Sequence, residues 1–431
     1  MSDKKSIQVT LFDQSSPPLR NKKELANFLK NFSRSTDLPD APKTSLDAVS
    51  IRDQDVIRFT NNYWTEKQRQ SSPIHEISYR ACYKPQLPRF FIQRLSPLQG
   101  IIYDPFSGRG TTALEAGLLG RNVIVNDINP LSQILARPRF FPPSISELKS
   151  RLQTIPDQSN LSPDIDLSMF FEKQTLTEIL SLRAYLKNRR ETGSEDEIDA
   201  WIRMVATNRL TGHSPGFFSA YTLPPNQAVS PERQIKINVK YGQVPPHRNV
   251  REIIIKKSKS LLRGLTSEER RNLQKTGTRA IFLAEDARHT NVIQSESVDL
   301  VVTSPPFLDV VQYAQDNWLR CWFNAIDGSS VAQKITVLKN IAAWEAFIGD
   351  VLKEIFRIVK KGGWVAFEVG EVRNGKIKLD EHVVPLGLDA GFTCAGILFN
   401  SQTFTKTSNI WGVNNNTRGT NTNRVVLFQK I

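Results

Sequence analysis

Two adjacent prolines lie in a segment whose residues could hold the amino group of a substrate in position for a reaction. Ser304-Pro305-Pro306-Phe307 follows the apolar run Val298–Val302, which is typical of a buried strand. Prolines end a strand and lack a backbone donor, so carbonyl groups beside them are free to accept hydrogen bonds. The Ser304 hydroxyl and the Pro305 carbonyl could accept both hydrogens of an exocyclic amine, while Phe307 offers a flat face for stacking. Taken alone, the run is more typical of an ordinary turn, and its place in a sheet decides between the two.

Accepting both hydrogens would change the reactivity of such an amine. The lone pair of an exocyclic base amine is delocalised into the ring, so the nitrogen is a poor nucleophile. Polarising the N–H bonds shifts the nitrogen towards tetrahedral geometry and directs the lone pair at an aligned electrophile. This chemistry needs no covalent intermediate with the protein.

A glycine-containing turn after another apolar run could hold the electrophile. Asp104-Pro105-Phe106-Ser107-Gly108-Arg109-Gly110-Thr111-Thr112 follows Ile101–Tyr103 and opens a predicted helix, Ala113–Leu119. Glycines let a ligand approach the backbone, and the N–H groups at the start of a helix attract an anionic group. Asp127 ends the next apolar run, where an acid can accept hydrogen bonds from both ribose hydroxyls of a nucleoside.

Two features of this turn distinguish a methyl donor from a nicotinamide dinucleotide. Ala113 occupies the position of the third glycine of the dinucleotide fingerprint. The charge of Asp104 disfavours a pyrophosphate and would suit the α-ammonium group of a methionine moiety. The turn therefore favours a methyl donor, with a dinucleotide as the alternative.

From about residue 100, short apolar runs alternate with amphipathic helices, which is typical of a parallel α/β sheet. The seven predicted strands are Ile101–Tyr103, Val123–Asn126, Ile281–Ala284, Val298–Val302, Trp364–Val369, Phe392–Phe399 and Val425–Phe428. A helix is predicted over Trp344–Lys361, with Gly362-Gly363 as its left-handed cap. The loop of residues 406–424, which contains Trp411, could touch a bound base or could be a plain hairpin loop.

Residues 128–279 interrupt the alternation and predict an inserted domain, since so long a loop cannot be structureless in a compact domain. Residues 201–279 hold 15 Lys and Arg against four acids, so most of the formal charge of +14 lies there. A solvated basic surface is one interpretation. Its place inside an α/β core favours nucleic acid as a partner.

Composition excludes several other classes. Three cysteines without a CxxC pair argue against a disulfide framework and a structural metal site, and none follows a proline, as the nucleophile of cytosine-C5 enzymes does. The polar N-terminus has no signal sequence, and no apolar run is long enough to span a membrane. We expect a soluble cytoplasmic protein, whose residues 1–50 form a mostly irregular arm with one helix near Lys22–Phe32.

The two motifs together resemble the amino-group DNA methyltransferases of bacterial and archaeal restriction–modification systems. Asp104–Thr112 matches the family's donor-binding DPFxGxGTT, and Thr303–Phe307 looks like its catalytic TSPPY/F. The serine form of that motif is associated with methylation of cytosine N4, whereas adenine-N6 enzymes more often have Asp or Asn in place of Ser304. The insertion departs from the family pattern because it precedes the predicted third strand.

The resemblance implies a class I S-adenosylmethionine-dependent methyltransferase fold, a Rossmann-like α/β sheet with an inserted, mostly helical and basic recognition domain. It divides the chain into an arm (1–50), a donor-binding half (51–139), a recognition insert (140–279) and a catalytic half (280–431). The implied catalytic residues are Ser304, Pro305, Pro306 and Phe307. The implied cofactor-binding residues are Tyr79, Lys84, Asp104, Phe106, Ser107, Gly108, Gly110, Thr111, Thr112, Asp127, Ile128 and Asp286.

The function implied is methyl transfer from S-adenosylmethionine to cytosine N4 in double-stranded DNA by base flipping, with no metal. Within the resemblance, Asp127 would hold the ribose, Asp286 the adenine amine, and the segment with Tyr79 and Lys84 the methionine end. A restriction endonuclease acting on the same site is the candidate partner. The alternatives are an adenine-N6 enzyme, an RNA or small-molecule methyltransferase, and a DNA-binding protein with an inactive donor fold.

Overall fold

The computed structural model describes residues 17–33, 43–64, 71–80, 82–223, 227–307, 313–335, 338, 340–372, 377–401 and 423–431. Its strands are β1 Ser45–Ile51, β2 Gln54–Asn61, β3 Ile101–Asp104, β4 Asn122–Asn126, β5 Ile281–Leu283, β6 Val298–Thr303, β7 Val359–Val369, β8 Glu371–Val372, β9 Ile377–Lys378, β10 Thr393–Asn400 and β11 Asn423–Gln429. Its α-helices are α1 Lys22–Lys30, α2 Gln86–Leu95, α3 Thr111–Leu118, α4 Leu131–Ala136, α5 Ile145–Thr154, α6 Lys173–Glu191, α7 Glu197–Arg209, α8 Pro231–Tyr241, α9 Val250–Leu262, α10 Ser267–Gly277, α11 Tyr313–Asp316, α12 Trp318–Phe323, α13 Gly328–Lys334, α14 Ile341–Ile358 and α15 Leu379–Asp389.

Nine of these strands form one sheet in the order β1-β2-β10-β11-β7-β6-β3-β4-β5. The five neighbouring strands β7, β6, β3, β4 and β5 are parallel. β11 lies between β7 and β10 and is antiparallel to both. The chain winds outward from β3 through β4 to β5, then returns to β6 on the other side of β3. Ligands of such sheets bind beyond the carboxyl ends of the strands where the order reverses. The doubly wound sheet, with its antiparallel β11, has the predicted class I methyltransferase architecture.

Apolar side chains cover both faces of the sheet. One cluster includes Leu114 of α3 and Leu300 of β6, and a second includes Val301 of β6 and Ile348 of α14. Alternate residues of one strand therefore face different cores, as the pleat requires. With both faces buried, β6 reads as a continuous apolar run.

The junction of α14 and β7 corrects the sequence-based prediction. The helix ends at Ile358, and β7 begins at Val359 instead of Trp364. Lys360, which lies inside the predicted helix, instead belongs to β7, and its Nζ donates to Asp299 of β6 at 2.8 Å. Gly362 has the expected positive φ of +79°, but within a strand, where the pairing of β6 with β7 shifts register. Pairing with β6 therefore determines where the helix stops.

Residues 45–50 correct the expectation of an irregular N-terminal arm. β1 and β2 form a hairpin, and β2 runs parallel to β10 and extends the sheet. Most of β1 is exposed, so it lacks the apolar alternation that indicates a strand. Its turn has positive φ at both Arg52 (+49°) and Asp53 (+60°), the geometry of a type I′ turn that usually carries Asn-Gly.

The segment between β4 and β5 is mostly helical and has a core of its own. This third cluster includes Leu182, Trp201 and Ile254, and it also takes in Trp322 of α12. The last helix, α10, belongs elsewhere, because its Leu273 joins the cluster that contains α3. At the base of the segment, Asn126 and Glu285 exchange two side-chain-to-backbone hydrogen bonds of 2.9 Å. Among the described residues, no helix is both long and apolar enough to cross a membrane.

Candidate active site

A cleft of about 910 Å³, partly open to solvent, lies at the carboxyl ends of β3, β4, β5 and β6. Ten of the residues predicted for the site line it: Tyr79, Phe106, Ser107, Gly108, Thr111, Asp127, Ile128, Asp286, Ser304 and Pro306. We call residues 104–112 the glycine corner and residues 303–307 the proline corner. The structure brings both corners to one cleft at the reversal point of the sheet.

The glycine corner needs each glycine for a different reason. Gly108 has φ +53° and Gly110 φ +79°, a region that other residues rarely adopt. A Cβ atom on Gly110 would lie 2.6 Å from the Cβ of Ala136 in α4, whereas one on Gly108 would meet no atom nearer than 3.5 Å. Gly108 borders the cleft and Gly110 lies behind it, so the first shapes the ligand surface and the second allows close packing.

Asp104 lies behind the cleft and joins the two corners. Its side chain is buried, with 2% exposure, and does not line the cleft. It accepts hydrogen bonds from the Thr303 hydroxyl (2.7 Å), the Phe106 backbone N–H (3.1 Å) and the Tyr83 hydroxyl (3.1 Å). Burial raises its pKa to about 6 although these donors favour the ionised form. Asp104 therefore holds β3 and β6 in register at the site.

Thr112 supports the same junction. Its hydroxyl donates to the carbonyl of Val302 on β6 at 3.1 Å and also contacts the Tyr83 hydroxyl. Like Asp104 and Gly110, it does not line the cleft. Asp104, Gly110 and Thr112 were predicted to bind the cofactor. In the structure they lie behind the wall of the cleft and support its shape.

Two carboxylates that line the cleft at the strand ends have pKa values shifted in opposite directions. Asp127 accepts the backbone N–H groups of Gly108 (2.7 Å) and Asn129 (2.9 Å), and burial raises its pKa to about 6. Asp286 pairs with Arg288 at 2.6 Å, which lowers its pKa. The carboxylate of Asp127 thus holds the glycine corner, while that of Asp286 stays charged beside a guanidinium.

The proline corner is half-buried at Ser304 and buried at Pro305. Ser304 and Pro306 border the cleft, and the indole N–H of Trp344 donates to the Pro306 carbonyl at 3.0 Å. Phe307 does not line the cleft; its ring packs beside Gly370. The predicted contact of residues 406–424 with a base lies largely outside the described residues, which include only 423–424 of that loop.

The segment before α2 closes the far wall. Tyr79 lines the cleft and lies within 3.4 Å of the Asn129 side chain through its hydroxyl, whereas half-buried Lys84 does not line it. The guanidinium of Arg109 donates to the Ile77 carbonyl at 2.8 Å and so fastens this segment to the glycine corner.

Comparison with known proteins shows similarity to DNA methylases and to type II methyltransferases. The model of a family described as DNA methylase matches residues 13–134, which include the glycine corner. The chain is 27% identical over 270 residues to the type II methyltransferase M.MvaI of Kocuria varians, a match to 55% of this chain and 54% of that protein. It is 35% identical over 89 residues to the type II methyltransferase M.MjaII of Methanocaldococcus jannaschii, covering 20% of this chain and 17% of that one. The chain thus spans about half the length of M.MvaI.

The chain is thus similar to DNA methylases in the part that carries the glycine corner, and to type II methyltransferases over about half of its length. Among solved structures, TrmN of Thermus thermophilus is similar at 14% identity and a TM-score of 0.32, over 82% of this chain and 50% of that one. The cofactor of these methyltransferases is S-adenosylmethionine, and the cleft fits it. Asp127, Glu285 and Asp286 give the lining a negative charge, which suits a sulfonium nucleoside better than a pyrophosphate. Among the described residues, the Ser107 hydroxyl is buried without a hydrogen-bond partner, so a polar ligand group could satisfy it.

Several residues that line the cleft were not predicted: Cys82, Tyr83, Pro105, Asn129, Glu285, Ala287, Lys334, Ile335 and Phe347. Most neighbour a predicted residue in sequence and could have been found by extending the motifs. Lys334 and Ile335 come from the end of α13, where no pattern marks them. The sequence marks Phe347 only as an apolar position of the helix predicted over Trp344–Lys361. In the structure, the centroid of its ring lies 6.2 Å from that of Phe106. Burial raises the pKa of Cys82, which argues against a nucleophilic thiolate.

Proposed function

We propose that this chain transfers a methyl group to an exocyclic amine of a DNA base, with cytosine N4 as the favoured target. The observation that carries the proposal is that Ser304 borders the same cleft as the glycine corner and Asp127. A donor held by one corner would thus lie beside an amine held by the other. Adenine N6 is the alternative target, and Ser304 favours cytosine through the family resemblance alone.

The roles proposed for the donor side follow from its geometry. S-adenosylmethionine, when bound, supplies an electrophilic sulfonium methyl group. Asp127 would accept the ribose hydroxyls, and Asp286, still charged beside Arg288, would accept the adenine amine. Tyr79 and Lys84 would close over the methionine end. Asp104 is proposed as a positioning residue, because its carboxylate already accepts three donors of the protein.

The proline corner would act on the amine. Ser304 Oγ and the Pro305 carbonyl would accept its two hydrogens, so that the nitrogen lone pair points into the cleft. The bond from Trp344 to the Pro306 carbonyl would keep this corner from turning. Methylation would leave the nitrogen with one proton to lose. Ser304 Oγ would accept that proton while its own hydroxyl proton passes to water, so the serine would end unchanged. We propose that Phe307, the last residue of the corner, stacks on the base once its ring turns from Gly370 towards the cleft.

A base inside a duplex cannot reach such a cleft, so it would be flipped out of the stack. We propose that the basic insert, about residues 140–279, binds the duplex, with α10 belonging to the sheet layer. A DNA substrate would place the protein in the cytoplasm of its cell, and a restriction endonuclease for the same sequence would be its functional partner.

The test is direct. Purified protein is incubated with isotopically labelled donor and unmethylated duplex DNA. The product is digested to nucleosides, and the modified nucleoside is identified by mass spectrometry. We expect N4-methyldeoxycytidine; N6-methyldeoxyadenosine would move the target to adenine. Methyl transfer to tRNA or rRNA alone would overturn the proposal.

A further inference from the structure

Helix α8 exposes two aliphatic side chains and buries an amide. Gln234 is fully buried, whereas Ile235 is 49% and Val239 78% exposed. Buried amides and exposed aliphatic side chains are the reverse of the usual distribution. Folding of the protein therefore does not explain why Ile235 and Val239 are exposed.

The helix is held firmly, so the exposure is not a sign of loose packing. Gln234 donates to the Tyr221 carbonyl at 3.0 Å and Asn238 to the Met169 carbonyl at 2.8 Å. Ser230 caps the first turn, and Gly242 ends the helix in the left-handed conformation. These contacts fix which side of α8 faces outward.

The outward side carries two parallel rows of side chains. Ile235 and Val239 are four residues apart, and Lys236 and Lys240 form the adjacent row at the same spacing, with Arg233 beside it. We call these five residues the α8 face. Against its three cations, Glu232 is the one acid of the helix. As the last residue of the helix, the exposed Tyr241 packs edge-on against Tyr221, with ring centroids 5.1 Å apart.

The segment before α8 is bonded to α11 and α12, which follow the proline corner in the chain. The Ala228 N–H donates to the Asp316 carbonyl at 2.9 Å, and the Trp318 indole donates to the Val229 carbonyl at 3.1 Å. Asp316, which follows the proline corner in the chain, also pairs with Arg80 at 2.7 Å. Arg80 is next to Tyr79 in the cleft wall. A ligand on α8 is thus connected to the site of chemistry.

We propose that the α8 face enters the major groove of duplex DNA and helps to select the methylated sequence, an inference that rests on the proposed function. An α-helix fits the major groove, where aliphatic side chains contact thymine methyl groups and lysines neutralise phosphates. A row of aliphatic residues beside a row of cations provides both contacts. The aliphatic row determines sequence preference, and the cationic row determines affinity for any duplex.

The cationic row is tested by the double variant Lys236→Ala, Lys240→Ala. Fluorescence anisotropy with a labelled random-sequence duplex should show affinity about tenfold or more weaker at low salt. The slope of log K against log salt should fall by about 2, one ion-pair contribution per lysine. The matched control is Lys22→Ala, Lys23→Ala in α1, two exposed lysines that should leave both quantities unchanged.

The aliphatic row is tested by Ile235→Ser, Val239→Ser on a duplex library with a randomised window. Sequencing of the methylated positions should show preference relaxed by about tenfold at one or more base pairs. Leu98→Ser removes an equally exposed aliphatic side chain (61%) elsewhere and should change nothing.

The outcomes separate the two proposals. A wild-type protein that methylates no DNA overturns the proposed function, while anisotropy still measures duplex binding by α8. A wild-type protein that methylates DNA, with α8 variants equal to it in salt slope and sequence preference, overturns the α8 proposal alone. So does a shift in sedimentation from dimer to monomer in the serine variant with unchanged DNA behaviour, since the face would then pair two copies of the chain.

Discussion

The two corners of the cleft are built in different ways. The glycine corner is fastened on all sides, by Asp127 to the Gly108 N–H, by Arg109 to Ile77, and by Gly110 packing on Ala136. The proline corner is held by the Trp344 indole and by Thr303 through Asp104. A tightly bonded corner suits the binding of a constant ligand, and a corner whose hydroxyl borders the cleft suits the reacting group. The difference predicts that substitutions on the two sides affect different steps.

The largest effect is expected at the proline corner. Ser304→Ala removes an acceptor that polarises the amine, so kcat should fall by about 10²–10³, as for loss of one transition-state hydrogen bond. The affinity for S-adenosylmethionine, measured by calorimetry, should stay within about twofold. Normal turnover in single-turnover assays would contradict the role of Ser304.

The glycine corner should respond in the opposite sense. Asp127→Asn keeps the shape but removes the charge that accepts the ribose hydroxyls, so donor affinity should fall by about 10- to 100-fold. Turnover at saturating donor should change much less. Equal loss of kcat and affinity would show that the corners do not divide these tasks.

The two glycines provide a matched pair for stability. Gly110→Ala introduces a Cβ atom 2.6 Å from Ala136 at a positive φ, and should lower the free energy of unfolding by about 2–4 kcal/mol. Gly108→Ala meets only the unfavourable φ and should cost about 1 kcal/mol. Urea denaturation of both variants measures the difference, and equal losses would remove the packing argument.

The smallest effect concerns pH. The pKa of Asp104 is about 6 in the folded chain against a reference of 3.8, so the folded state binds more protons between these values. Stability should therefore fall as pH rises from 4 to 6. Asp104→Asn should make that decline shallower, although Asp127 and Asp380 titrate in the same range. An unchanged pH profile in the variant would show that Asp104 stays ionised.

The sequence allowed the parallel strands and both corners to be predicted, because buried runs such as Val298–Val302 and the glycine and proline motifs depend on local geometry. The β1–β2 hairpin could not be predicted, since β1 is exposed and its turn uses Arg52 and Asp53 in place of Asn-Gly. The membership of Lys334 and Phe347 in the cleft depends on long-range packing, which leaves no local pattern. Likewise, the separation of α10 from the insert becomes visible only through Leu273.

The reciprocal pair between Asn126 and Glu285 has a structural consequence. The chain leaves the sheet after β4 and returns to it at β5. The two hydrogen bonds between Asn126 and Glu285 fix the distance between the ends of these strands. A change in the length of the helices between these two strands therefore need not alter the spacing of the strand ends that line the cleft.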